Sequence, residues 1–199
     1  MLTVDTIPLN AQIALSLVQR VAPAVISGGY LRDLDHDVVP KDLDIFFSTN
    51  AGNVAQHTAM ICWHLGVPQP DIDWVDAERY AEWNSFIVQV FNVEFCGIDV
   101  NLIGCSEFSP AVNLGLEIAQ MNDFGLCQIS FDGKDIVTTH NYEGDKLSRQ
   151  FVMRCEELGV CNVDKSRARF ARLSPRYPGY SLEIEEAVSL FNEVDFSLT

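Results

Sequence analysis

Apolar and polar positions divide the chain into alternating helices and strands. Apolar side chains recur at helical spacing from Ile13 to Val21, which predicts a helix over residues 9–21. A short apolar run over 24–27 predicts a buried strand, followed by a second helix from about Tyr30. Alternation over 42–47 predicts another strand, and Ser48-Thr49-Asn50 can cap a third helix over 51–65.

The pattern changes character in the second half of the chain. Residues 86–103 predict a β-hairpin with a tight turn near Asn92. Short helices are predicted at 77–83 and 109–120, and a strand over 122–133 is expected to turn at an Asp-Gly pair and pair with 136–138. From residue 144 onwards, helices are predicted near 145–158, 163–173 and 182–193, whereas 35–37 is expected to be a solvated loop.

These elements predict an α+β fold in two parts. Residues 1–143 would form a head with a small mixed or antiparallel sheet and flanking helices packed on one side of it. Residues 144–199 would form a short helical neck-like extension.

Composition restricts the class of protein. The 199 residues are 48% hydrophobic, which is typical of a globular chain, and the six cysteines show no metal-ligand spacing. We therefore expect buried, reduced thiols. No apolar run is long enough to span a membrane and the N-terminus does not resemble a signal peptide, so a soluble, cytoplasmic protein without a membrane partner is expected.

Charge is distributed unevenly along the sequence. The net charge is −15, which argues against a general nucleic-acid binder. Residues 146–176 nevertheless hold eight of the thirteen basic residues and only three acidic ones, so this segment is +5 and the remainder −20. A basic segment in an acidic chain needs an anionic partner or an acidic patch of the same protein to face.

Two neighbouring stretches carry candidate chemistry. Gly28-Gly29 follows the predicted strand and opens a helix, a turn that allows close approach of the backbone to a phosphate. Asp42 and Asp44 lie two residues apart on a strand and therefore on one face. Two carboxylates beside such a turn suit Mg²⁺ bound to a nucleoside triphosphate.

The order Gly-Gly-x-Leu-Arg-Asp, a short loop and Lys-Asp-x-Asp resembles the signature of the polymerase-β-type nucleotidyltransferases. The resemblance is greatest to the head and neck of bacterial-type (class II) CCA-adding tRNA nucleotidyltransferases and poly(A) polymerases. It implies transfer of a nucleoside monophosphate from ATP or CTP to a hydroxyl by a two-metal mechanism with Mg²⁺, with an RNA 3′ end as the acceptor. Asp42, Asp44 and Asp99 would be the catalytic metal ligands, and Glu94 competes with Asp99 because the assignment depends on hairpin register.

The same resemblance implies a nucleotide site, and the RNA would be reached through the basic segment 146–176. In the family, an Asp-Phe motif lies against the sugar and phosphates, and an acid and an arginine three residues apart on the neck helix read the base. The implied nucleotide-binding residues are Gly28, Gly29, Arg32, Asp33, Lys41, Asp123, Asp164 and Arg167.

The sequence departs from the family before Asp123, where Met121 and Asn122 replace two arginines. This loss of positive charge keeps a second hypothesis open, a nucleotidyltransferase-fold module that binds nucleotide or a partner without catalysis. A third hypothesis is a transferase that modifies a protein or a small molecule.

Overall fold

A six-stranded mixed sheet forms the centre of the molecule. The computed structural model describes residues 2–69, 86–106, 113–154 and 163–184. The strand order is β3-β4-β2-β1-β5-β6; β2 and β4 are parallel and the other neighbours antiparallel. The strands are β1 (Ala24–Ser27), β2 (Leu43–Ser48), β3 (Ile87–Phe95), β4 (Ile98–Cys105), β5 (Ile129–Phe131) and β6 (Ile136–Thr138).

Helices cover both faces of this sheet. The main core joins β1, β2 and β4 to α1 (Leu9–Gln19) and α3 (Val54–Leu65). Ala24 and Ile26 of β1 face this core, whereas Val25 faces a second cluster that includes Ile118 of α4 (Leu114–Gln120). The expectation of helices on one side was therefore wrong, because alternate residues of β1 are apolar on both faces.

Two further helices, α2 (Gly29–Asp35) and α5 (His140–Ser148), lie next to a smaller unit. In that unit β7 (Gln150–Met153) pairs in parallel with β8 (Ser181–Ile184), and α6 (Val163–Leu173) lies between them in sequence. Phe151 is fully buried against Phe124, Phe170 and Tyr177. This aromatic cluster joins the predicted neck to the predicted head.

The helix predicted over 163–173 is confirmed. The helices predicted over 145–158 and 182–193 are wrong in the parts that lie within the described residues. Arg149 adopts a left-handed φ of 57° and ends α5, after which β7 replaces the helix predicted over 145–158. β8 occupies the start of the helix predicted over 182–193. Residues 150–153 form a strand rather than a helix because Phe151 and Met153 are buried, which is a tertiary effect. Residues 155–158 and 185–193 lie outside the described residues.

Up to residue 138, the described residues follow the predicted order of elements, apart from three local differences. Asp35, expected in a solvated loop, is the last residue of α2. The hairpin turns at Cys96-Gly97, with φ values of 49° and 75°, while Asn92 lies inside β3. The predicted strand over 122–133 contains a short 3-10 helix, Gly125–Cys127, before β5. The helix predicted over 77–83 and the beginning of the one over 109–120 lie outside the described residues.

Three of the cysteines, Cys62, Cys105 and Cys127, are buried free thiols, as expected, whereas Cys96 is exposed in the hairpin turn. Cys155 and Cys161 lie outside the described residues. In the described part of the chain, no helix has both the length and the apolar character needed to cross a membrane.

Candidate functional site

Acidic side chains line one face of β2 and β4. In the parallel pairing Asp44 lies opposite Asn101, and Asn101 Nδ2 donates a hydrogen bond to Asp44 Oδ1 at 2.7 Å. Asp99 lies two residues before Asn101 on β4 and therefore shares this face, and Asp42 immediately precedes β2, two residues before Asp44. Leu43 and Val100 point the other way, into the main core.

The hairpin register adds a further carboxylate to this face. Glu94 of β3 pairs directly with Asp99, and both are exposed. Directly opposed like charges repel each other, and a bound cation would relieve the repulsion. Within the described residues, no group of three His, Cys, Asp or Glu side chains already has the arrangement of a metal site. The assignment of Asp42, Asp44 and Asp99 as metal ligands therefore stays a prediction.

Burial perturbs the carboxylate of Asp44. Burial raises its pKa to about 6, and the neighbouring Asp42 carboxylate acts in the same direction. The hydrogen bond from Asn101 and the positive charges of Arg169 and Arg32 partly offset this rise. A divalent cation bound at Asp44 would stabilise the charged form of a carboxylate that the protein alone disfavours.

The Gly-Gly turn lies beside these acids. Ile26 of β1 pairs with Ile45 of β2, which brings the turn after Ser27 to the same end of the sheet as Asp44. Gly28 has a φ of +85°, and Asn122 Oδ1 lies 3.1 Å from where its Cβ would be, so the position requires glycine. The first amides of α2 have no acceptor within the helix.

Arg32 and Asp33 form a buried network with the C-terminal unit. The Arg32 side chain is 3% exposed, and it donates to Asp33, to Tyr177 Oη at 2.8 Å and to Cys127 Sγ at 3.0 Å. Arg176 Nη2 donates to Asp33 Oδ2 at 2.7 Å, and Tyr177 Oη also donates to this carboxylate. The structure thus encloses the Arg32 guanidinium, and its predicted contact with a triphosphate stays untested.

Asp123 is held by α6. Ser166 Oγ donates to Asp123 Oδ2 at 2.9 Å, and Arg169 Nη1 donates to Asp123 Oδ1 at 2.5 Å. Asp164 and Arg167 occupy a different face of α6, with side chains 93% and 56% exposed and 3.9 Å between their charged atoms. The structure does not bring this pair to Asp123, so base recognition by it stays a prediction.

Two residues near the site were not identified from the sequence, Asn101 and Arg169. Asn101 could have been found from strand register alone, since it lies two residues after Asp99. The signal for Arg169 was the spacing of Ser166, Arg169 and Phe170 on one helical face. The predicted Lys41 contact is also untested; its ammonium is largely exposed, 3.6 Å from Asp42 Oδ2.

Comparison with solved structures identifies the fold. A CCA-adding enzyme in complex with CTP superimposes with a TM-score of 0.59 and 14% identity over 92% of this chain. The Thermotoga maritima CCA-adding enzyme complexed with tRNA superimposes with a TM-score of 0.54 and 13% identity over 89% of this chain. A tRNA-processing enzyme in an apo form superimposes with a TM-score of 0.58 and 13% identity over 89% of this chain. The chain therefore has an α+β nucleotidyltransferase-type fold like that of the head and neck of CCA-adding enzymes.

The likeness covers only part of those enzymes. The chain spans 42% of the CTP complex chain, 38% of the Thermotoga maritima chain and 45% of the apo chain. No protein-family model and no curated protein sequence matches it.

Proposed function

From the fold shared with CCA-adding enzymes, we propose that the protein is a Mg²⁺-dependent nucleotidyltransferase. It transfers a nucleoside monophosphate from ATP or CTP to a hydroxyl, for which the proposed acceptor is an RNA 3′ end. The acceptor oxygen forms a bond to the α-phosphorus, the bond from that phosphorus to its bridging oxygen breaks, and pyrophosphate leaves. The hydroxyl proton passes to solvent.

The observation that carries the proposal is the shared face of β2 and β4 beside the Gly-Gly turn. The hydrogen bond between Asn101 and Asp44 fixes the register of this face. The proposed remaining ligands are Asp42, which immediately precedes β2, and Asp99 of β4. Gly28 and Gly29 lead into it from β1.

Each residue has a proposed role. Asp42, Asp44 and Asp99 would hold two Mg²⁺ ions, which when bound would lower the pKa of the attacking hydroxyl and neutralise charge on the phosphates. Backbone amides after Gly28-Gly29 orient the triphosphate, while the Arg32–Asp33 network keeps the start of α2 in place. The remaining proposed nucleotide contacts are Lys41, Asp123, Asp164 and Arg167.

The division into a head over 1–143 and a neck over 144–199 is part of the proposal. Arg167 and Arg172 of α6 are exposed and belong to the basic segment. We assign them to the RNA backbone, because phosphate contacts supply most of the affinity of such complexes.

Incorporation of labelled ATP and CTP tests the proposal. Purified protein with Mg²⁺ is offered tRNA, bulk RNA and protein acceptors in parallel, and RNA labelling is expected. Asp42→Ala and Asp44→Ala are expected to reduce labelling by at least about 1,000-fold because each removes a metal ligand. Asp37→Asn, an exposed change outside the site, is the matched control and should retain parental activity.

Absence of labelling of every acceptor by the parent would contradict the proposal, as would full activity of Asp44→Ala. Labelling of protein alone would retain the transfer chemistry and replace the acceptor.

A second candidate function is nucleotide or partner binding without catalysis. The observation that favours it is the neutral pair Met121 and Asn122 together with the enclosed Arg32. Mg²⁺-dependent ATP binding without incorporation, and partner binding unchanged in the Asp42→Ala/Asp44→Ala double variant, would support this alternative.

A further inference from the structure

We propose that Arg176 is a positioning residue that holds the loop between α2 and β2 and thereby aligns the two stretches of the candidate site that this loop joins. The inference rests on the nucleotidyl-transfer function proposed above. It gives the C-terminal unit a part in aligning residues of the head, and it does not place Arg176 against the nucleotide or the metal ions.

The loop is a short connection that ends at a proposed metal ligand. It begins after Asp35, the last residue of α2, and it ends at Asp42, which directly precedes β2. The Val39 side chain is 85% exposed, so burial of that side chain does not fix the middle of the loop. Val39 lies three residues before Asp42, and a displacement of the backbone there is therefore transmitted to Asp42 over a short length of chain.

Arg176 binds α2 and this loop at the same time. Its Nη2 donates to Asp33 Oδ2 at 2.7 Å and to the carbonyl oxygen of Val39 at 2.5 Å. A terminal guanidinium nitrogen carries two N–H groups, so both hydrogen bonds can exist together. The guanidinium therefore fixes the loop backbone relative to α2.

The Asp33 carboxylate makes the contact with Arg176 difficult to replace. It is 3% exposed, and its Oδ1 accepts hydrogen bonds from Arg32 Nε at 2.9 Å and from Tyr177 Oη. Without Arg176, Oδ2 would lose the cation that it faces, which is unfavourable for a buried carboxylate. The Val38 amide also donates to the Asp33 carbonyl at 2.8 Å, so the loop backbone depends on the same residue.

The C-terminal unit gives Arg176 a firm support. The next residue, Tyr177, is 2% exposed, and its ring packs edge-on against Phe151 with 5.2 Å between the ring centres. The Tyr177 amide donates to the Ser174 carbonyl at 3.1 Å, which closes the turn that carries Arg176. A side chain that aligns other groups needs a support of this kind, held by packing and hydrogen bonds.

Hydrogen exchange tests the restraint on the loop in the chain without ligand. The Val38 amide is the reporter, and its exchange is followed by NMR. Arg176→Gln is expected to speed this exchange by at least about 10-fold, the loss typical of a hydrogen bond to a charged group, while the amides of β1 keep their parental rates. Arg20→Gln removes the same charge at an exposed position after α1 and should match the parent.

Steady-state labelling of RNA with ATP or CTP tests the consequence for the proposed reaction. Arg176→Gln is expected to lower kcat by about 10- to 100-fold and to leave KM for the nucleotide within about threefold, because misaligned groups slow the chemical step. Arg176→Lys keeps the charge and carries three donors on one nitrogen, so it should recover part of the lost kcat. Arg20→Gln should keep the parental kcat.

Three results would overturn the inference. Unchanged exchange of the Val38 amide in Arg176→Gln would show that the loop does not depend on Arg176. Faster exchange with a parental kcat would make Arg176 a structural contact only, and equally faster exchange in β1 would indicate general destabilisation. In each case labelling by the parent leaves the proposed function standing, whereas a parent that labels no acceptor overturns both.

Discussion

Asp44 is a proposed metal ligand, and its charge is disfavoured by the folded protein. Its carboxylate is half-buried on β2, and its pKa is raised to about 6 by burial, with Asp42 adding repulsion. The unfolded chain would ionise this group near pH 3.9. Folding at neutral pH therefore has to accommodate a charge that the environment disfavours, which is common for groups that act on a ligand.

Replacement of Asp44 by a neutral residue should therefore stabilise the fold. Because the folded pKa lies above the unfolded one, the favourable contribution of Asp44 is complete below about pH 3.9 and is lost as pH rises through about 6. In EDTA at pH 7.5, Asp44→Asn should therefore raise the free energy of unfolding by about 1–3 kcal/mol, measured by urea denaturation. The difference should shrink towards pH 4.

Asp99→Asn is the control, because Asp99 is exposed and the change should stay within about 0.5 kcal/mol. A less stable Asp44→Asn variant at pH 7.5 would contradict the argument.

Sequence reasoning found residue types near the site more readily than their roles. The motif identified Arg32 and Asp33, but their enclosure depends on Tyr177 and Arg176, more than 140 residues away in sequence. Asp164 and Arg167 have the expected spacing, yet the helical face towards Asp123 carries Ser166 and Arg169. Which face of a helix packs inward is a tertiary property that spacing alone does not determine.

At the scale of elements, local patterns were reliable where they agreed with burial. Helix α3 ends at Gly66, whose φ of +69° matches its predicted role as a C-terminal stop. The hairpin turn was misplaced because polar Asn92 suggested a turn, whereas Cys96 and Gly97 both adopt the positive φ that a tight hairpin turn requires. Strands β7 and β8 were missed because their pairing joins segments about thirty residues apart.

Asp35 links α2 to α5, contrary to the solvated loop expected at 35–37. Asp35 lies in α2, and its side chain is 3% exposed. It accepts hydrogen bonds from Tyr142 Oη at 2.6 Å, from Lys146 Nζ and from the Leu2 amide. Burial alone would raise its pKa, but Lys146 and Tyr142 outweigh burial and the pKa is lowered.

Asp35→Asn should destabilise the fold by about 2–3 kcal/mol at pH 7, because a buried ion pair loses one partner. The folded pKa is depressed, so this contribution is present above the unfolded value of about 3.9 and is lost as pH falls through the folded one. Urea denaturation at pH 7 and pH 3.5 should show the difference between parent and variant shrinking in acid.

Asp37→Asn makes the same chemical change at an exposed position with a left-handed φ of 54°, which asparagine tolerates. A loss of stability in this control as large as that of Asp35→Asn would contradict the proposed link.

At the scale of the whole molecule, the net charge opposes the proposed RNA contact, whereas the cations of α6 favour it. The net charge of −15 repels a polyanion, and α6 concentrates cations on one element. Of these cations, Arg169 is paired with Asp123, whereas Arg167 is exposed. The inner cation stabilises the packing of α6 against the head, and the outer one faces solvent.

The salt dependence of RNA binding should distinguish a local contact by α6 from general attraction. Each phosphate contact with single-stranded RNA contributes about −0.7 to the slope of log K against log salt concentration. If Arg167 and Arg172 contact the backbone, the Arg167→Gln/Arg172→Gln double variant should make this slope shallower by about 1.4, measured by fluorescence anisotropy with a labelled RNA 3′ end.

A double variant at Arg20 and Lys134 removes the same charge near the turn between β5 and β6, where Gln19 bonds the Asp132 carbonyl. Equal slopes in the two double variants would mean that only total charge matters and that α6 is not the RNA surface.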